Sequence, residues 1–172
     1  LYFRRQDHFL ASRYREHVKG NIIIETPDEW IKTNFSPNEY LGILKRLQKY
    51  VEKSNIIVKV YERQQFVGGS IFSDFCDVLS LSMTAEFHIS KADFNPHLSR
   101  DALEFNRMLN TVFDNQSSPY LFSNVLTQFT LYEKKIGSNR SHGYDLFSPR
   151  VRNDILAACD DVNKTIAREY LG

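Results

Sequence analysis

The stretch that decides the fold is residues 1–20, LYFRRQDHFLASRYREHVKG, which predicts a strand, a polar turn and a helix. Residues 1–3 are apolar and suit a buried strand, and Arg4-Arg5-Gln6-Asp7 forms the turn. Apolar side chains then recur every three to four residues up to Val18, and Gly20 ends the helix. We expect Asp7 to be its N-cap. Because the segment opens directly on its strand, we expect the chain to be the C-terminal portion of a longer one.

Residues 56–61, IIVKVY, predict a second strand, since they are mostly apolar and rich in β-branched side chains. Two strands that are separated by helices must run parallel if they share a sheet. Helices are predicted where a capping residue precedes an apolar helical pattern, at Thr26, Ser36, Ser99, Ser118 and Ser148. The sequence therefore predicts one helix-rich α/β domain over residues 1–172 with a short parallel sheet.

Composition excludes several classes of protein. The 22 Lys+Arg and 21 Asp+Glu leave a net charge of +1, which argues against a protein that coats nucleic acid. No apolar run approaches the roughly 20 residues of a membrane span, and no signal peptide is visible. Two cysteines are too few for a disulfide scaffold or a zinc site. We expect a cytoplasmic protein without a metal, and the apolar face of the last predicted helix leaves a homo-oligomer open.

The charge is unevenly distributed, because residues 1–20 carry five basic and two acidic side chains, a local charge of +3. Ligands of open parallel sheets bind beyond the carboxyl ends of the strands. Arg4 and Arg5 stand at such an end, directly before a helix N-terminus, and this combination suits a phosphate or sulfate group. Ser12 lies further along the helix and would direct its hydroxyl to the same pocket. The alternative is that both arginines are solvated or paired with carboxylates.

Residues 1–14, LYFRRQDHFLASRY, resemble the 3′-phosphate-binding segment of sulfotransferases that use 3′-phosphoadenosine 5′-phosphosulfate (PAPS). In that family a strand ends in Arg and a Ser follows eight positions later, often before an aromatic residue, as Arg4, Ser12 and Tyr14 do here. Residues 55–62, NIIVKVYE, and 72–79, FSDFCDVL, are similar to a later strand that ends in Tyr-Glu and to its following helix. Residues 146–172, which begin with LFSP and end with YLG, resemble the last helix of bacterial sulfotransferase-like proteins associated with surface polysaccharides. The blocks occur in the order of the family.

The resemblance implies a P-loop-type three-layer α/β fold that lacks its N-terminal part. It implies that Arg4 and Ser12 hold the 3′-phosphate of the nucleotide with Arg5 beside them. It also implies that Arg140 and Gly143 belong to a loop that closes over the nucleotide. The co-substrate would be PAPS, no metal would be needed, and the acceptor would be a carbohydrate hydroxyl. No glycine is followed by Lys-Ser or Lys-Thr, so the phosphosulfate loop is not in this sequence and we expect the fragment alone to be inactive.

The sequence leaves two other functions open. One is a non-catalytic sulfotransferase-like module for binding or assembly in polysaccharide biosynthesis. The other is a nucleotide-dependent phosphotransferase, which usually places a Mg²⁺-binding carboxylate at a strand end. Glu62 follows a strand, but we favour a capping or ion-paired role for it. His8 is expected at the surface, no histidine is assigned as the catalytic base, and Cys159 is expected in the core.

Overall fold

The structure, a computed structural model, describes residues 1–20, 23–82, 97–113, 122–137 and 146–171. The strands are β1 (Tyr2–Phe3) and β2 (Lys59–Val60). The helices are α1 (Gln6–Lys19), α2 (Pro27–Asn34), α3 (Glu39–Leu47), α4 (Ile71–Val78), α5 (Arg100–Leu109), α6 (Ser123–Lys135) and α7 (Pro149–Ile166). Short 3₁₀ turns cover Lys53–Asn55, Arg63–Gln65 and Val67–Gly69, and a π-helical turn covers Ala167–Leu171. The predicted helix-rich α/β class with a short parallel sheet is confirmed.

The chain divides into two compact units. The first unit comprises Leu1–Gln6, Ser36–Ala92 and Leu156–Gly172. The second unit comprises Asp7–Phe35 and Asp93–Ile155. The single domain expected over residues 1–172 stays a prediction. No helix in the ranges that the structure describes is long and apolar enough to cross a membrane.

The two strands are parallel, as predicted, with Tyr2 opposite Lys59 and Phe3 opposite Val60. The Lys59 amide donates to the Leu1 carbonyl at 2.8 Å. The expected strand over residues 56–61 is wrong in length, because β2 covers only Lys59–Val60. The strand is short because its partner β1 is only two residues long, so regular ladder hydrogen bonds extend no further along residues 56–61.

Helices contact both faces of this sheet within the first unit. The Tyr2 hydroxyl donates to Asp74 Oδ2 of α4 at 2.6 Å, and Lys59 Nζ donates to Asp74 Oδ1 at 2.8 Å. The Phe3 ring stacks on Tyr40 of α3, with centroids 4.2 Å apart and planes 5° apart. Since neighbouring residues of a strand point to opposite faces, α4 covers one face and α3 the other.

The core of the second unit is built on α1. Its apolar positions Leu10, Tyr14 and Val18 are four residues apart, lie on one face and are at most 2 % exposed. The Tyr14 ring meets Trp30 edge-on at 5.6 Å, and Trp30 is 1 % exposed. The helical periodicity read from residues 1–20 therefore predicts this part of the core correctly.

Local capping signals predict several helix starts and miss others. The capping box at Thr26 is confirmed, with the Thr26 amide donating to Glu29 Oε2 at 2.9 Å, and Ser99 caps α5 as expected. The helix start predicted at Ser36 is wrong, because α3 begins only at Glu39 and covers Glu39–Leu47. Residues 36–39 instead close a turn through the Glu39 amide and the Ser36 carbonyl, 3.2 Å apart.

Other boundaries are corrected or lie outside the described residues. Asp7 is not the N-cap of α1, since the helix begins at Gln6. Asp7 lies in the first turn and accepts a hydrogen bond from Arg152 Nε at 3.0 Å. Ser148 precedes α7 as predicted and Ser118 lies outside the described residues.

Candidate functional site at the carboxyl ends of the strands

A cavity of about 340 Å³ lies in the first unit where the two parallel strands end, and we name it the carboxyl-edge cavity. One side is formed by β1 and the residues after it, and a second by residues 58–62 around β2. Tyr40 of α3 closes a third side. The last side consists of Asn163 and Ile166 of α7 with Ala167 and Leu171 of the π-helical turn. The cavity occupies the position that parallel sheets use for ligands.

Arg4 and Arg5 line this cavity directly after β1 and directly before α1, the place that the sequence predicts for them. The Arg4 guanidinium carbon lies 4.4 Å from the centroid of the Tyr61 ring, a cation–π contact. Within the part of the chain that the structure describes, this half-buried guanidinium has no carboxylate partner. No carboxylate of the described residues therefore occupies its donors.

The backbone of Arg4 is fixed as well as its side chain. The Tyr40 hydroxyl donates to the Arg4 carbonyl at 2.7 Å. Burial raises the pKa of Tyr40 well above its ordinary value, so this phenol remains a donor at any physiological pH. The stacked pair of Tyr40 and Phe3 places an aromatic surface in the same wall. The cavity thus combines cationic and flat apolar groups.

A pair of side-chain amides closes one wall of the cavity. Gln6 Nε2 donates to Asn163 Oδ1 at 2.5 Å, and Gln6 is 9 % exposed. Both side chains are neutral, so they leave the charge of the cavity to the arginines, Lys59 and Glu62.

The π-helical turn is held by exposed contacts. Lys53 Nζ lies 3.0 Å from Glu169 Oε2 and 4.9 Å from the centroid of the Tyr170 ring. Gln48 Nε2 donates to the Tyr170 hydroxyl at 2.9 Å. The hydrogen bond from Lys53 lowers the pKa of the Glu169 carboxyl. Contacts of this exposed kind contribute little stability each.

A second cavity of about 410 Å³ lies on the α4 side of the sheet and has a different character. Its wall is apolar except for Tyr2 and Lys59, and both of these side chains already bond to Asp74. Hydrogen bonds from Lys59 and then Tyr2 lower the pKa of Asp74 to about 2, so this carboxyl group is ionised at neutral pH. This arrangement offers an anion no uncompensated charge.

The other residues expected at the nucleotide site fall elsewhere. Ser12 lies in α1 within the second unit and is half-buried, so its pairing with Arg4 stays a prediction. Arg140 and Gly143 lie outside the described residues. Glu62 is the residue before a 3₁₀ turn, and its backbone carbonyl accepts from the Gln65 amide at 2.9 Å; its carboxylate makes no capping hydrogen bond to that turn, so the expected capping role of this side chain is not confirmed.

The expectations for His8 and Cys159 are confirmed. The His8 side chain is 51 % exposed, and its Nε2 lies 3.9 Å from Asp7 Oδ2. Cys159 is fully buried, and burial raises the pKa of its thiol, which disfavours the reactive thiolate. In the described ranges, no group of three or more His, Cys, Asp or Glu side chains is placed to hold a metal ion.

Sequence reasoning missed Tyr61, Tyr40 and the pair of Gln6 and Asn163. The sequence does place Tyr61 directly after the second strand, at the carboxyl edge. An aromatic residue at a strand end, however, indicates core packing rather than a contact with an arginine. Gln6 and Asn163 are 157 positions apart, and a single sequence carries no signal for their contact.

Comparison with known proteins gives one informative similarity. No protein-family model matches the chain, and no solved structure matches it significantly. The chain is similar to an uncharacterized protein of Archaeoglobus fulgidus, with 28% identity over 171 residues. The match covers 99% of this chain and 45% of the archaeal protein, so the chain spans less than half the length of that relative.

Proposed function

We propose that the carboxyl-edge cavity binds the phosphate end of an adenine nucleotide in a sulfotransferase-like protein of P-loop-type, three-layer α/β fold. The nucleotide is PAPS or its product, adenosine 3′,5′-bisphosphate. The observation that carries the proposal is the Arg4 guanidinium, which lies in this cavity against an aromatic ring and has no carboxylate partner among the described residues.

Physical chemistry supports an anionic ligand at this place. A partly buried charge is costly unless it is paired, and a phosphate matches the planar fork of a guanidinium. The N-terminus of α1 begins at Gln6 in the cavity wall and adds the partial positive charge of a helix start. A cavity of about 340 Å³ falls within the usual size range of small-molecule sites.

The aromatic residues of the wall support a nucleotide rather than a bare inorganic anion. Phe3, Tyr40 and Tyr61 give the cavity large flat surfaces beside its cationic groups. Aromatic rings pack well against planar groups such as a nucleobase. The combination therefore favours a ligand that carries both a phosphate and a flat ring.

The proposed reaction is transfer of a sulfuryl group to a carbohydrate hydroxyl. The acceptor oxygen forms a new bond to sulfur in line with the breaking bond between sulfur and the phosphate oxygen, and adenosine 3′,5′-bisphosphate leaves. A base takes the acceptor proton. In this scheme Arg4, Arg5 and Ser12 anchor the 3′-phosphate and Arg140 covers the nucleotide. These residues hold the nucleotide and do not act on the sulfuryl group.

Calorimetry with adenosine 3′,5′-bisphosphate tests the proposal. Arg4→Ala should weaken binding by about tenfold or more, the value of a charge-assisted hydrogen bond. Arg46→Ala is the matched control, since Arg46 is exposed on α3, outside the cavity wall, and removes the same charge. Ser12→Ala should weaken the binding of adenosine 3′,5′-bisphosphate but not that of adenosine 5′-monophosphate, which lacks the 3′-phosphate.

Two results would refute nucleotide binding: no heat of binding in the wild-type protein, or equal losses in Arg4→Ala and Arg46→Ala. Binding without sulfuryl transfer, measured with labelled PAPS and a panel of sugars on the full-length protein, would instead favour a non-catalytic module. That module is the alternative for which the cavity itself is equally suited.

A further inference from the structure

An arginine that captures a phosphate must hold its guanidinium in place, because each freely rotating bond costs entropy when the ligand binds. The Arg4 guanidinium is held on the face of Tyr61 at 4.4 Å. The orientation of that ring therefore decides where the donors of Arg4 point. The Tyr61 amide donates to the Phe3 carbonyl at 2.7 Å, which fixes the backbone of Tyr61 but not its ring.

Phe66 contacts the Tyr61 ring almost perpendicularly, with centroids 5.4 Å apart and planes at 83°. The same Phe66 ring meets Tyr2 of β1 at 6.0 Å and 89°. Perpendicular aromatic pairs at these separations attract each other through their ring quadrupoles beyond simple burial. Phe66 thus links the ring that carries Arg4 to a residue of the first strand.

The position of Phe66 is itself well determined. Its carbonyl accepts from the Gly69 amide at 2.9 Å, and the next amide, that of Val67, donates to Asp74 Oδ1 at 3.0 Å. Asp74 is fully buried and also accepts from the Tyr2 hydroxyl. One carboxylate therefore fixes both the backbone beside Phe66 and the Tyr2 ring that Phe66 contacts.

We infer that Phe66, which is not part of the cavity wall, is a positioning residue for the anion site. Its ring fixes Tyr61, and Tyr61 presents the Arg4 guanidinium to the ligand. The importance of Phe66 for ligand affinity rests on the proposed nucleotide binding. The orientation of the Arg4 side chain does not, and it is measurable without ligand.

Phe66→Leu and Phe66→Tyr test the inference, with Phe72→Leu as control, because Phe72 is 56 % exposed on α4 and lies outside the carboxyl-edge cavity. NMR of the ligand-free protein should show the Arg4 side-chain protons shifted upfield by the Tyr61 ring current, an assignment verified with Arg4→Lys. Phe66→Leu should move these signals toward random-coil values. Phe66→Leu should also bind adenosine 3′,5′-bisphosphate roughly three- to tenfold more weakly, the range that the energy of one aromatic pair corresponds to.

Phe66→Tyr should restore both the shift and the affinity, and Phe72→Leu should change neither. An unchanged Arg4 shift in Phe66→Leu overturns the inference. If Phe66→Leu does not fold, Phe66→Met takes its place, because methionine also lacks the ring, and an unchanged Arg4 shift in that variant overturns the inference. If neither the wild-type protein nor any variant binds the nucleotide, the proposed function is refuted. The chemical shifts of the Arg4 side chain then test the positioning inference on their own.

Discussion

Two buried asparagines hold the C-terminal end of α1: Asn106 lies in α5 and Asn110 directly follows this helix. The losses of stability on removing their side chains should be strongly non-additive. Asn106 Nδ2 donates to the Val18 carbonyl at 2.8 Å, and Asn110 Nδ2 donates to the same carbonyl at 3.1 Å. Asn110 Nδ2 also donates to the Ile23 carbonyl at 2.9 Å. Val18 lies in the last turn of α1, where carbonyls lack donors from their own helix.

The magnitude follows from which carbonyls lose their donors. Asn106→Ala leaves the Val18 carbonyl one amide donor, so it should lower the free energy of unfolding by about 1 kcal/mol. Asn110→Ala also takes the amide donor from the Ile23 carbonyl and should cost about 2 kcal/mol. The double variant removes both amide donors that the buried Val18 carbonyl has among the described residues. Its cost should therefore exceed the sum of the single costs by about 1 kcal/mol or more.

Urea unfolding followed by Trp30 fluorescence measures this cycle, since Trp30 is the chain's only tryptophan and lies buried in the same unit. Asn124→Ala on the exposed side of α6 is the control and should stay within about 0.5 kcal/mol of wild type. Costs of Asn106→Ala and Asn110→Ala that add within about 0.3 kcal/mol would refute the shared-carbonyl argument.

Three other outcomes are expected. Gly68→Ala should destabilise more than Gly69→Ala, because both have φ near +65 to +70° but only a Cβ at Gly68 meets a neighbouring side chain, at 3.0 Å; equal melting temperatures would contradict this. The pKa of Asp74 is lowered from 3.8 to about 2, first by Lys59, so the stability that this carboxylate contributes is present above pH 3.8 and is lost as the pH falls toward 2. The free energy of unfolding should therefore depend less on pH in Asp74→Asn than in the wild-type protein across that window. Parallel curves of unfolding free energy against pH for the two proteins would argue against this role. Tyr40→Phe should lower Tm by about 2–4 °C through one lost hydrogen bond, measured by calorimetry, and an unchanged Tm would show that water replaces the hydroxyl.

The sequence was most informative where structure depends on neighbours along the chain. Leu10, Tyr14 and Val18 predict both α1 and its buried face, because helical periodicity and burial coincide there. The capping box at Thr26 predicts the start of α2 for the same local reason. The parallel strands also follow from a local argument, since a helical segment between them forbids a hairpin.

Features that depend on distant partners were not accessible. The apolar run at 56–61 predicts a strand, but its regular length is set by how many residues of β1 lie beside it. The cavity wall needs Asn163 beside Gln6, and this contact becomes visible only in three dimensions. For the candidate site, the sequence indicates that Arg4 and Arg5 follow a strand, and the structure adds the aromatic support of Tyr61.

Comparison among arginines explains why Arg4 is the best candidate for ligand binding. Arg107 donates to Glu104 at 2.8 Å and Arg152 to Asp7 at 3.0 Å, so each spends charged donors on a carboxylate. A phosphate would have to displace such a partner before it could bind. Arg4 rests on the Tyr61 ring, which stabilises the charge through its face but accepts no hydrogen bond in the guanidinium plane. The aromatic support therefore keeps the cation in the cavity while leaving its in-plane donors to an anion.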